Sequence, residues 1–147
     1  MVKKVSGDQL KDVERIGIGM AGRLDINAGM LVYSHHSSLK HIPVSILEDK
    51  IGKEVVLIND NAAVAVAEKS MGAGRCHDNL VYVGIGTGIG GGALKNAEKV
   101  ISPLSSYLRE YAFNKPPEVV ASPLGEAAPL FGAIAIALNP NLIRCGP

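Results

Sequence analysis

Asn59 and Asp60 stand directly after a β-branched run, Glu54 to Ile58 (EVVLI), and directly before an alanine-rich stretch, Asn61 to Met71. A strand that ends on a carboxylate as a helix begins puts that group where α/β sheets gather ligands, at the carboxyl ends of their strands. There the carboxylate can take the proton of a substrate hydroxyl, the task of a general base in phosphoryl transfer. The same dipeptide has a plainer use. Asp and Asn are favoured N-caps, and Asp60 could simply cap a helix starting near Asn61.

A second candidate is the run Gly86-Thr87-Gly88-Ile89-Gly90-Gly91-Gly92, in a stretch where six of the nine residues from Gly84 to Gly92 are glycine. Glycines let a backbone approach a ligand closely, and successive N–H groups in such turns form anion-binding nests. Thr87 could add a hydroxyl donor to a phosphate. No Lys-Ser/Thr pair follows, so the run is not a Walker loop. Gly86, Gly88 and Gly91 satisfy GxGxxG, but no convincing helix or ribose-binding acid follows Gly92, so a dinucleotide site fits poorly. The alternative is a flexible turn between two strands, although glycine this dense weakens a strand pair.

A third is Gly19-Met20-Ala21-Gly22-Arg23-Leu24-Asp25, a glycine turn after a short strand that could let a sugar approach the backbone. Taken on its own, a plain turn is the favoured reading. His35, His36, His41 and His77 show no spacing suited to metal ligation and read as loop residues.

The elements that must position these residues follow from the pattern. Ser6 and Gln9 have capping-box spacing ahead of a short helix bearing Leu10 and Val13. Arg15 to Gly19 and Leu31 to Tyr33 read as short strands, with a turn at Asp25 to Gly29 between them. Pro43 suits the first turn of a helix whose Val44, Leu47 and Ile51 share a face, and Gly52 can stop it. Gly72 and Gly74 stop the helix Asn61–Met71, and Leu80 to Gly84 (LVYVG) reads as a buried strand. Ser102 and Pro103 open a helix with Leu104, Tyr107, Leu108 and Tyr111 on one face. Glu118 to Ala121 reads as a strand, and Gly125 to Leu138 ends as a helix of small and aliphatic residues. Alternating strands and helices indicate an α/β layered fold.

Composition narrows the partners. The chain has 147 residues, 47% hydrophobic and 20% charged, enough for a packed core. A formal net charge of +1 gives no reason to expect nucleic acid, and 4% aromatics without tryptophan gives no base-stacking platform. No apolar run approaches the ~20 residues that span a bilayer, and no secretory signal follows the N-terminal lysines. Cys76 and Cys145 lack CxxC spacing and read as free thiols of a cytoplasmic protein.

In order along the chain, GMAGRLD, NDNAAVAVAE, GAGR and VYVGIGTGIGGGAL resemble the ROK family of sugar kinases (repressor, open reading frame, kinase), within the actin and hexokinase fold group. The resemblance runs from about Arg15 to Leu94. It resumes from Ile101 to Leu138, where ISPLSSYLREYAF and VVASPLGEAAPLFGAIAIAL look like the family's C-terminal helices. It implies an actin/hexokinase-like (ribonuclease H-like) layered sheet with helices, truncated. Residues 1–84 would be a remnant of an N-terminal sugar-binding lobe and 85–147 a remnant of a C-terminal nucleotide-binding lobe.

The implied reaction is ATP-dependent phosphorylation of a hexose, of the glucokinase type, with Mg²⁺ assistance. By resemblance Asp60 is the catalytic base and touches the sugar, Asn59 is a sugar-hydroxyl ligand, and Gly22 lies at the sugar. Gly86, Thr87, Gly88 and Gly90 form the second phosphate loop. The implied partners are a hexose and further copies of the chain, with neither nucleic acid nor membrane.

Several family features have no counterpart. The opening Asp-x-Gly-Gly-Thr loop, the Glu-x-x-His sugar motif, the zinc-binding His/Cys cluster and the glycine-rich adenosine loop are absent. Ser34-His35-His36 stands where many members have Ser-Pro-Asn, and Asn61 follows Asp60 where the family has alanine. The chain reads as a kinase whose beginning and central block are missing. The alternatives are a non-catalytic sugar-binding regulator and an inactive remnant. The family's repressors carry an N-terminal helix-turn-helix, for which the stretch before Arg15 is too short.

Overall fold

The computed structural model describes residues 7–34, 37–78, 80–84, 105–110 and 118–143. Its strands are β1 (Arg15–Met20), β2 (Arg23–Asp25), β3 (Met30–Tyr33), β4 (Lys40–Pro43) and β5 (Glu54–Asn59). Helix α1 (Ser45–Ile51) precedes β5, α2 (Asp60–Met71) follows it, and α3 (Ala128–Leu138) closes the core. Residues 105–110 are also helical, within the stretch expected to be so. The expected helix near Leu10 is a 3-10 turn, Gly7–Asp12, and another such turn, Gly125–Ala127, leads into α3.

β1 and β5 pair in parallel from Arg15 opposite Glu54 to Met20 opposite Asn59. A parallel pair needs a crossover, because its strands run the same way. Here the crossover contains α1 and an antiparallel meander in the order β2-β3-β4. The Asp25 carboxylate accepts the Ala28 N–H at 2.9 Å and closes the expected turn between β2 and β3. Gly52 ends α1 as expected, its N–H donating to the Glu48 carbonyl at 2.7 Å.

The structure corrects four sequence expectations. Pro43 ends β4 rather than opening a helix, and α1 begins at Ser45. His41, read as a loop residue, lies in β4, a short strand that like β2 the sequence pattern does not show. Residues 80–84 join no ladder among the described residues. Val81 and Val83 are 87% and 54% exposed, while Tyr82 packs inward, so the segment is half-covered rather than a buried strand. Residues 118–121 likewise form no strand.

The core lies where α3 crosses β1 and α2. Ile58, Ala63 and Ile136 form one buried cluster, and Val64, Ala67 and Ala128 another, joined by Tyr82 and Leu124. Small residues allow this close packing. A Cβ on Gly17 would fall 1.8 Å from the Ala133 carbonyl oxygen. Arg15 holds the far end of the helix: its Nη1 donates to the Ala137 carbonyl at 2.8 Å, and its Nε lies 2.9 Å from a Glu54 carboxylate oxygen. A guanidinium there meets a carbonyl that the last helical turn leaves unpaired. α3 comes from the stretch expected to form a second lobe, and it packs on the first.

Candidate functional site

Parallel pairing brings the carboxyl ends of β1 and β5 side by side, with Met20 opposite Asn59. Past Met20 the chain turns through Ala21 and Gly22; past Asn59 it enters α2. Two of the sequence candidates therefore meet at one end of the sheet.

Asn59 links them. Its backbone is extended (φ −65°, ψ 142°), and its Oδ1 accepts the N–H groups of Asn61 at 3.0 Å and Ala62 at 3.3 Å. Asn59, not Asp60, is thus the N-cap of α2. Its Nδ2 donates to the Gly22 carbonyl at 3.1 Å, tying the glycine turn to the head of the helix.

Asp60 is the first residue of α2, where an acidic side chain suits the helix dipole. Its Oδ1 accepts the Asn61 N–H at 2.9 Å, which fixes the carboxylate's orientation. Its Oδ2 takes no hydrogen bond among the described residues, and the residue is half-buried. One oxygen is anchored by the bond from Asn61.

Gly22 adopts φ +137°, a conformation that favours glycine. A Cβ on it would lie 2.4 Å from the Tyr33 carbonyl oxygen. The passing strand β3 therefore demands glycine here, and the turn so formed presents the Gly22 carbonyl to Asn59.

The structure thus gathers Gly22, Asn59 and Asp60. Gly86, Thr87, Gly88 and Gly90 lie outside the described residues. Among the described residues no three His, Cys, Asp or Glu side chains gather as metal ligands, and Cys76 is an exposed free thiol. No described helix is long and apolar enough to cross a membrane. An apolar groove of about 320 Å³ lies at the other end of β1, lined by Arg15, Ile16, Gly17, Leu130, Ile134 and Leu138 among others. It includes none of the three site residues.

Sequence reasoning missed Glu68, which is buried at 3% exposure. The available signal was its place beside Ala63, Val64 and Ala67 on the covered side of α2.

Residues 1–102 match the model of the ROK family. A glucokinase of Thermotoga maritima is 41% identical over 81 residues, covering 54% of this chain and 26% of that protein. A xylose repressor of Bacillus subtilis is 37% identical over 82 residues, covering 55% of this chain and 21% of the repressor. The crystal structure of a ROK family glucokinase from Streptomyces griseus in complex with glucose and AMPPNP aligns with a TM-score of 0.50 and 38% identity. That alignment covers 55% of this chain and 26% of the glucokinase. The chain thus spans about a quarter of the length of these glucokinases. Its fold is the actin/hexokinase-like α/β fold expected from the sequence. With the family model matched over residues 1–102, and glycine turn, cap and carboxylate meeting at one sheet end, the chain belongs to the ROK family.

Proposed function

We propose that this chain serves ATP-dependent phosphorylation of a hexose, with Asp60 as the general base. The observation that carries the reading is the Asn59–Gly22 bond, which ties the glycine turn to the helix start that bears the anchored, half-buried Asp60. The glucokinase relatives, one solved with glucose and AMPPNP, support a hexose and an adenine nucleotide as ligands.

Asp60 Oδ2 would accept the proton of the attacking sugar hydroxyl, while Oδ1 stays bound to the Asn61 N–H. Asn59 has a narrower part. Its Oδ1 already accepts two backbone N–H groups and its amide has given one hydrogen to Gly22, so it would meet a sugar hydroxyl as a donor. Gly22 would border the sugar with its backbone. Gly86, Thr87, Gly88 and Gly90 would hold phosphate oxygens.

ATP with Mg²⁺ would supply the transferable phosphoryl group. Such a Mg²⁺ would be held mostly by phosphate oxygens and water rather than by a protein cage. Residues 1–84 would then form the sugar side and 85–147 the nucleotide side, with α3 folded back on the sugar side.

A second reading, a sugar-binding regulator, is favoured by the xylose repressor relatives, which match the same share of the chain at similar identity. Calorimetric titration of the 147-residue chain with glucose and with AMPPNP separates the two. Binding of both supports the kinase, and binding of sugar alone supports the regulator. Binding of neither overturns both and leaves an inactive remnant.

A further inference from the structure

We propose that the buried Glu68 carboxylate is a positioning group that fixes the turn 72–75 and, through it, the segment 80–84 that leads into the glycine run. The part that concerns nucleotide rests on the kinase reading above; the part that concerns the segment does not.

Four donors converge on Glu68. Its backbone carbonyl accepts the N–H groups of Gly72 at 3.1 Å and Gly74 at 2.9 Å. Its Oε2 accepts the Ala73 N–H at 2.9 Å, and its Oε1 accepts the hydroxyl of Ser122, 54 residues away in sequence. A helix end can be closed by backbone bonds alone. A carboxylate is costly to bury unless its oxygens are hydrogen-bonded, so its presence here calls for a task beyond capping. That task is to join the turn to the chain at Ser122.

The turn is shaped around the carboxylate. A Cβ on Gly72 would come 2.0 Å from Oε2 and 2.7 Å from the carboxyl carbon, so the space a side chain would fill holds the Glu68 head. On the next glycine, Gly74, a Cβ would come 2.5 Å from a Leu80 methyl. Leu80 thus rests on the turn that Glu68 holds, and Tyr82 rests on the cluster of Val64, Ala67 and Ala128. These contacts set where residues 80–84 run, and Gly86 follows two residues later.

The test uses the whole chain with Glu68→Ala, Glu68→Gln and Gly72→Ala. Glutamine can keep both contacts, accepting from Ala73 and donating to a rotated Ser122 hydroxyl. Alanine at 68 removes the carboxylate, and alanine at 72 evicts it. Hydrogen exchange should rise by about tenfold or more across residues 72–84 in both alanine variants. In Glu68→Gln it should stay within about threefold of the parent, with β5 unchanged in all three. AMPPNP affinity should fall by about tenfold in the alanine variants while glucose affinity holds. If the parent chain binds no AMPPNP, the nucleotide reading fails and the exchange result still decides the role of Glu68. Unchanged exchange at 72–84 in folded Glu68→Ala, or an equal rise throughout the chain in all variants, overturns the proposal.

Discussion

Gly132 of α3 lies so close to Ala63 of α2 that a Cβ on Gly132 would come within 1.9 Å of the Ala63 carbonyl oxygen. The helices meet backbone to backbone, and α3 is seated by side chains that are missing as much as by those present. In an exposed helix, Gly→Ala stabilises by ~0.5–1 kcal/mol, because alanine loses less backbone entropy. At Gly132 the sign should reverse. Gly132→Ala should destabilise by ~1–3 kcal/mol or more, the usual penalty of overpacking. Urea unfolding measures it, and a stabilised variant would show that α3 is not seated as described.

Asn59 performs two tasks that different substitutions can separate. Asn59→Ser keeps an oxygen for capping α2 but loses the donor to Gly22; Asn59→Ala loses both. The serine variant should fall by about 1 kcal/mol for the lost bond. The alanine variant should fall by a further ~0.5–2 kcal/mol for the lost cap. Both should weaken glucose binding, because the donor proposed to meet the sugar is gone. Equal stability of the two variants would mean that the cap contributes nothing.

The junction of β5 and α2 was legible because a β-branched run passes directly into an alanine-rich one, a change of period that few other folds of the chain satisfy. The capping residue was misread by one position. Asn59 and Asp60 are both good caps, and only the backbone angles decide between them. β2 and β4 have three and four residues, too few to show a period, and they exist because β3 gives each a ladder partner. Residues 80–84 looked buried because they are apolar, but burial depends on what covers both faces, and Val81 and Val83 point outward. Glu68 escaped notice because a charged residue on a helix normally marks its wet side. The grouping of Gly22 with Asp60 was legible only by resemblance. No spacing rule brings Gly22 and Asn59, 37 positions apart, to the ends of adjacent parallel strands; the register does.

Arg15 offers a check on how α3 is held at its far end. Its bond to the Ala137 carbonyl is partly buried, whereas its partner Glu54 is 55% exposed. A charged hydrogen bond contributes ~1.5–3 kcal/mol and an exposed ion pair ~0–1 kcal/mol. Arg15→Met, which keeps the apolar stem, should therefore destabilise by ~1.5–3 kcal/mol, and Glu54→Gln by less than ~1 kcal/mol. Equal effects in urea unfolding would shift the weight to the ion pair and away from the helix end.

The decisive variant for the proposed chemistry is Asp60→Asn. The amide oxygen can still accept the Asn61 N–H, and Asn59 rather than residue 60 caps α2, so the fold should survive with little change in unfolding midpoint. What disappears is the charge and the basic lone pair of Oδ2. A general base typically contributes ~10²–10⁴-fold, so glucose-dependent ADP release should drop by that factor wherever the parent protein shows turnover. Glucose affinity should change by less than about tenfold, because an amide still hydrogen-bonds a hydroxyl. The pattern to look for is therefore a fall in kcat with KM nearly constant, which marks a group acting in the transition state rather than in binding. A coupled ADP assay and a glucose titration on the same preparation give both numbers. Near-parental kcat in a folded Asp60→Asn protein would remove Asp60 from the base position and leave it as a residue of the helix start.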